Sequence, residues 1–173
     1  MKEYKQELSQ LIANLSDAEK VVKLEEYLIS LKAKEEAGAY KAAIAAIRLL
    51  RDCSHESATF VLLAIASENY QRVRYDQGKY SFNFGTSARK AAIKALAKTT
   101  INKCLVIEML IKDFYCNFSN YGDILETLSK ICTRKDIRSL SELCSWSITR
   151  IGCDQYDMTP RIIELMKLLW TIN

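Results

Sequence analysis

The one histidine of the chain, His55, stands two positions after Cys53 in the run Cys53-Ser54-His55-Glu56. A thiol near a helix start, with an imidazole in reach, has the parts of a nucleophile and its base, because a helix N-terminus favours the thiolate. The placement argues for less. The pair straddles the join between two expected helices, and two residues across a turn need not bring sulfur and imidazole together. The expectation is that Cys53 closes one helix and His55 is a polar linker residue near the cap of the next. Zinc fares no better, since a single histidine and six scattered cysteines (53, 104, 116, 132, 144 and 153), with no CxxC spacing, offer no close ligand pair. The run Asn117-Phe118-Ser119-Asn120-Tyr121-Gly122-Asp123 opens like a calcium loop with glycine in sixth place. The twelfth position needs a bidentate carboxylate and holds Leu128. A phosphate-cradling glycine loop, a dinucleotide fingerprint and an HExxH pair are all absent, and Glu25-Glu26 and Glu35-Glu36 read as solvated helix surface. The expectation is therefore a protein without catalytic residues, metal or cofactor, and not an enzyme.

Charge carries more information. The chain holds 25 basic and 21 acidic residues, but they are not evenly spread. Residues 41–103 contain eleven basic side chains (Lys41, Arg48, Arg51, Arg72, Arg74, Lys79, Arg89, Lys90, Lys94, Lys98 and Lys103) against four acidic ones, and both flanks carry more acids than bases. Lys90, Lys94 and Lys98 recur every four residues on one helix face. That like-charge spacing is mildly unfavourable in isolation, so alanine-rich helix propensity or an anionic partner must offset it. Beside the stripe stand Arg72, Arg74 and Lys79, then Tyr80, Phe82 and Phe84 alternating with polar residues as on one face of an extended segment. Aromatics beside cations can stack bases under a phosphate backbone, can anchor a protein interface, or can fold back to plug the helical core under solvated lysines.

The elements that must position these groups are helices. One proline and five glycines in 173 residues are too few for a sheet protein joined by tight turns. The periodicity predicts a first helix over 2–15 with Tyr4, Leu8, Leu11, Ile12 and Leu15 inward. A capping box at Ser16-Asp17-Ala18-Glu19 opens the second, with Val21, Leu24, Leu28 and Leu31 inward to about Glu36. An alanine-rich helix over 39–51 follows Gly38. A mostly apolar fourth helix starts at Ser54 or His55 and runs to about Tyr75. An irregular segment spans about 77–86, Thr86 or Ser87 caps a fifth helix to about Thr99, and a sixth spans 101–118. The seventh, over 121–133, buries Tyr121, Ile124, Leu125, Leu128, Ile131 and Cys132. The eighth begins near Asp136 with Ile137, Leu140, Cys144, Ile148 and Ile151 inward. The last starts at Thr159-Pro160 with Ile162, Leu165, Met166 and Leu169 inward. The fold class expected is all-α: one domain over 1–173, a compact bundle of eight or nine helices or, alternatively, a short α-solenoid.

The run Gly38-Ala39-Tyr40-Lys41-Ala42-Ala43-Ile44 resembles the second helix of a tetratricopeptide repeat. The preceding helix lacks that family's tryptophan, leucine and glycine positions, and no 34-residue period recurs. The resemblance implies helix-pair packing and carries no functional residue across.

A second patch lies away from the core stripes. Trp146 stands about 200° around its helix from Cys144, on a side shared with Leu143 and Arg150, and in the last helix Ile163 and Trp170 share an outer side. These faces pack together, or they form a docking or self-association surface. No apolar run reaches the ~20 residues of a membrane span. The opening Met-Lys-Glu-Tyr-Lys-Gln-Glu-Leu has no signal-peptide core, so a cytoplasmic protein with reduced thiols is expected. The function expected is stoichiometric binding to another protein, as an adaptor, inhibitor or immunity-type protein would do. The contact would use Arg72, Arg74, Lys79, Tyr80, Phe82, Phe84, Arg89, Lys90, Lys94 and Lys98. Nucleic-acid binding through the same 72–98 segment is the alternative, and a homo-oligomer is possible.

Overall fold

The computed structural model describes residues 2–34, 39–67, 84–98, 101–116, 121–148 and 159–172. Among them are nine α-helices, one short 3-10 turn and no strand, an all-α bundle. The helices are α1 Lys2–Leu11, α2 Asp17–Lys34, α3 Ala39–Arg51, α4 Glu56–Ala66, α5 Thr86–Leu96, α6 Lys103–Cys116, α7 Tyr121–Ile131, α8 Ile137–Ile148 and α9 Thr159–Ile172. Arg72, Arg74, Lys79, Tyr80, Phe82 and Arg150 lie outside the described residues, as do the side chains of Leu143 and Trp146.

Helix α5 holds the middle of the bundle, packing against α3, α4 and α7. Its inward face is Ala88, Ala92, Ile93, Ala95 and Leu96, and it packs against α3, whose buried residues are Ala42, Ala43, Ala45, Ala46, Ile47 and Leu50. Axis separation depends on side-chain size at the contact, so two alanine-rich faces let the helices approach closely. Helices α1 and α2 lean on α3, α6 packs on α7, and α9 touches both α7 and α8. Hydrogen bonds pin two of these contacts at buried polar positions. The Ser67 hydroxyl donates to Asp113 Oδ1 at 3.0 Å, joining the end of α4 to α6. The Thr127 hydroxyl of α7 donates to the Ile93 carbonyl of α5 at 3.2 Å.

Local chemistry sets several boundaries as expected. Glu19 accepts from the Ser16 amide at 2.9 Å, and the Glu19 amide donates to Ser16 Oγ, the reciprocal pair that opens α2. Val21, Leu24, Leu28 and Leu31 are all buried. Thr133 and Asp136 form an equivalent box before α8.

Other boundaries differ from the expectation. Helix α1 ends at Leu11, and Leu11 is exposed, because α3 contacts the Leu8 and Ile12 side and Leu11 sits ~100° beyond Ile12. Helix α4 stops at Ala66 rather than near Tyr75. Ser67 takes an extended conformation while its hydroxyl is held by Asp113. Helix α5 is opened by Gly85 at φ +81°, a left-handed conformation that strains a side-chain-bearing residue, rather than by Thr86 or Ser87. In α9, Leu165 and Leu168 are buried whereas Met166, expected inward, is exposed. Apolar residues occur nearly all round that helix, so its period allowed two inward faces.

Candidate binding surface

Two of the three lysines of the stripe, Lys90 and Lys94, are answered from within the chain. Lys90 Nζ lies 3.5 Å from Asp123 Oδ2, and Lys94 Nζ lies 3.2 Å from Asp123 Oδ1 and 3.6 Å from Glu126 Oε2. Glu126 also accepts from Lys130 at 2.6 Å. Hydrogen bonding and attraction from Asp123, then attraction from Glu126, push the Lys94 ammonium above its ordinary value, and Lys130 with Lys94 holds Glu126 below its own. The carboxylates of α7 thus supply the offset that these two lysines require.

Phe84, expected to be either a partner contact or a core plug, is 9% exposed and packed in the hydrophobic core. Burial removes it from the set of side chains that can meet a partner. It also anchors the chain one residue before Gly85 redirects it into α5.

Lys98, one turn past Lys94, is exposed, and among the described residues it has no carboxylate within ion-pair distance. It lines a cleft of about 270 Å³ together with Arg51, Asp52, Cys53, Ser54 and His55 over an apolar floor that includes Leu50, Ala58 and Leu62. Arg51 Nε meets Asp52 Oδ1 at 2.9 Å, and this bond, with attraction from Arg51 and more weakly from Lys98, lowers the Asp52 carboxyl. Lys41 and Arg48 stand three to ten residues before Arg51 on the same side of α3, and both are exposed. Lys41 Nζ lies 5.8 Å from the Tyr40 ring centroid, and Arg48 has no ion-pair partner among the described residues. A basic track therefore runs along α3 through Lys41, Arg48 and Arg51 and meets Lys98 at the cleft. Sequence reasoning counted all four cations but grouped only Lys98 into a site, because the other three are about fifty residues away along the chain.

Cys53 and His55 share that cleft, each already engaged. The Cys53 thiol donates to the Leu49 carbonyl at 3.4 Å, and His55 Nδ1 accepts from the Ser57 amide at 3.3 Å as the N-cap of α4. Burial, then the nearby Asp17 carboxylate, pushes the Cys53 thiol above its ordinary value, the opposite of an activated nucleophile. Burial pushes the Cys132 thiol up to about 12. Among the described residues no group of three or more His, Cys, Asp or Glu is placed to hold a metal ion, and no helix is long and apolar enough to cross a membrane.

A different surface lies on α9. Ile163, Met166 and Trp170 are 46%, 53% and 87% exposed, at spacings of three and four on one side of the helix. Leu165 and Leu168 fill the opposite side, against the bundle.

No family model matches this chain, and no curated protein or solved structure matches it either.

Proposed function

We propose that this chain is a non-enzymatic helical binding protein that acts by occupying an acidic surface of a partner protein, as an adaptor, inhibitor or immunity-type protein does. The reading rests on one observation. The fold neutralises Lys90 and Lys94 with its own carboxylates, whereas Arg48 and Lys98, where α3 and the end of α5 meet at an open cleft, have no carboxylate within ion-pair distance among the described residues. Cations without an internal partner add nothing to the fold by pairing, and at an interface rim they steer encounter with an acidic surface. The cleft beside them is a concavity with a largely polar lining, including Arg51, Asp52, Ser54 and His55, that a partner side chain can enter. The contact proposed from sequence thereby contracts at its lysine end to Lys98 and extends along α3 to Arg51, Arg48 and Lys41.

Affinity capture with charge-reversed protein tests the reading. Wild-type protein and the Arg48→Glu/Lys98→Glu variant, tagged alike, are exposed to lysate of the producing cells. A protein retained near one-to-one by wild type, resistant to nuclease, eluted by rising salt and lost with the variant is the expected result. Recovery of nucleic acid, with binding abolished by nuclease, moves the assignment to nucleic-acid recognition. Equal recovery by both proteins removes the track from the contact.

A further inference from the structure

We infer that the cleft between α3, α4 and the end of α5 takes one carboxylate, the side chain of a glutamate or aspartate that the partner protein puts into it. This rests on the reading of the basic track as a protein contact and names the group that fills its cleft.

Thr59 carries the argument. It lines the cleft and is 4% exposed, and its hydroxyl has no hydrogen-bond partner among the described residues, while its oxygen stays open to the cleft. A hydroxyl withdrawn from bulk water is costly to leave without a bond, so the bond has to come from whatever enters. Two neighbours offer donors as well. His55 Nδ1 accepts from the Ser57 amide, and a ring nitrogen that accepts carries no proton. The ring proton is therefore on Nε2, which makes exposed His55 a donor. Lys98 adds an exposed ammonium with no carboxylate within ion-pair distance among the described residues. Hydroxyl, imidazole and ammonium donors thus line one concavity. The acceptor that stands among them is already taken, since both oxygens of Asp52 accept from Arg51, at 2.9 and 3.3 Å.

Charge and size select the occupant. Arg51 and Lys98 against Asp52 leave the lining with a net of one positive charge, which one carboxylate balances. A phosphate monoester, at about −1.5 to −2, would set its excess charge against Asp52. The cleft's volume of about 270 Å³ falls below the ~300–1,000 Å³ of pockets that enclose drug-sized ligands, so it suits a single side chain better than a nucleotide. Leu50, Ala58 and Leu62 offer carbon surface to the short aliphatic stem of an acidic side chain. An apolar anchor would leave the Thr59 hydroxyl without its bond, and a cationic one would meet Lys98.

NMR titration of isotope-labelled protein at pH 7.5 tests this, with N-acetylglutamate α-amide as the probe. The probe should bind with a Kd on the order of 1–10 mM, the weak affinity of so few atoms, and should shift the amides around Thr59 and Lys98 most. N-acetylglutamine amide, of the same shape without the charge, should not bind. Thr59→Val and the exposed-site variant Lys98→Gln should each weaken the probe about tenfold with unaltered circular dichroism; should Thr59→Val fail to fold, Lys98→Gln decides. No binding of the probe, equal binding of the glutamine analogue, tighter binding of inorganic phosphate, or a folded variant that binds as wild type does overturns the carboxylate site. Partner capture that is lost with Arg48→Glu/Lys98→Glu in the same experiments keeps the track as a contact, so the two failures are told apart. Capture by Thr59→Val, or by Lys98→Gln in its place, identifies the source of the carboxylate. Retention weakened by the variant is the expected result. Probe binding with retention unchanged, or with no protein retained, assigns the carboxylate to a free small acid and overturns the partner's side chain as occupant.

Discussion

Replacing Phe84 with alanine separates a core anchor from a contact residue before any partner is identified. Phe84 is 9% exposed among the buried core residues and precedes the Gly85 turn into α5. An aromatic ring of this burial removes roughly 150–200 Å² from water, worth ~4 kcal/mol at about 25 cal/mol per Å². Measured costs of Phe→Ala in cores span about 3–5 kcal/mol, so two independent routes agree. Unfolding entropy of about 2.1 cal/mol/K per residue gives ~0.36 kcal/mol/K for this chain. Four kcal/mol therefore lowers the midpoint by about 11 °C. The assay is a circular dichroism melt at 222 nm of wild type, Phe84→Ala and Phe84→Leu. The leucine variant keeps most of the volume and should cost only ~1 kcal/mol, about 3 °C. An alanine midpoint within 2 °C of wild type would refute the reasoning and return Phe84 to the surface.

The two lysines that sequence treats alike should part company. Lys94→Glu should lower the melting temperature, because it sets a third carboxylate beside Asp123 and Glu126, whereas Lys98→Glu should leave it nearly unchanged; paired thermal melts decide. Among the three cysteines whose side chains are described, thiol labelling by iodoacetamide at pH 7.5, followed by mass spectrometry, should mark exposed Cys104 first, Cys53 more slowly and Cys132 least, since burial raises the last two thiols. Fast labelling of Cys53 with an apparent pKa well below ~8.5 would restore a nucleophile to the cleft. Acid should destabilise the protein. The Ser54 amide, donating to Asp17 at 2.9 Å, then Lys20, hold the Asp17 carboxyl below its ordinary value, as Ser16 does for Glu19. A depressed carboxyl contributes stability that is fully present above the unfolded pKa near 4 and is lost as pH falls through the folded value. Melts from pH 7 to 2.5 should therefore drop below about pH 4, and Asp17→Asn should be less stable at neutral pH with a shallower acid decline.

Periodicity read the interior well where apolar residues occupied one stripe only. Val21, Leu24, Leu28 and Leu31 are all buried because they form one continuous stripe at spacings of three and four, while most of the remaining surface of α2 is charged. It failed where the helix carried two apolar faces. Met166, expected inward, is exposed and Leu168 is buried in α9, because spacing cannot say which face the bundle takes. The end of α4 at Ser67 was equally hidden, since what holds it is Asp113, 46 residues onward. The candidate surface shows the same limit. Lys90, Lys94 and Lys98 share a sequence rule, yet only the first two reach Asp123, some thirty residues away. Arg51 and Lys98 meet at one cleft only because α3 packs on α5. Charge counts located the basic region; the pairing that divides structural cations from available ones is tertiary.

Site-specific photo-cross-linking in the producing cells tests the central claim most directly. A benzophenone amino acid is placed at Arg48 or Lys98 on the track, and at Glu3 or Glu142 as exposed positions elsewhere. Both track positions should yield an adduct to the same protein, insensitive to nuclease, and the two control positions should not. Adducts to nucleic acid at the track, no adduct there, or the same adduct from all four positions would contradict it.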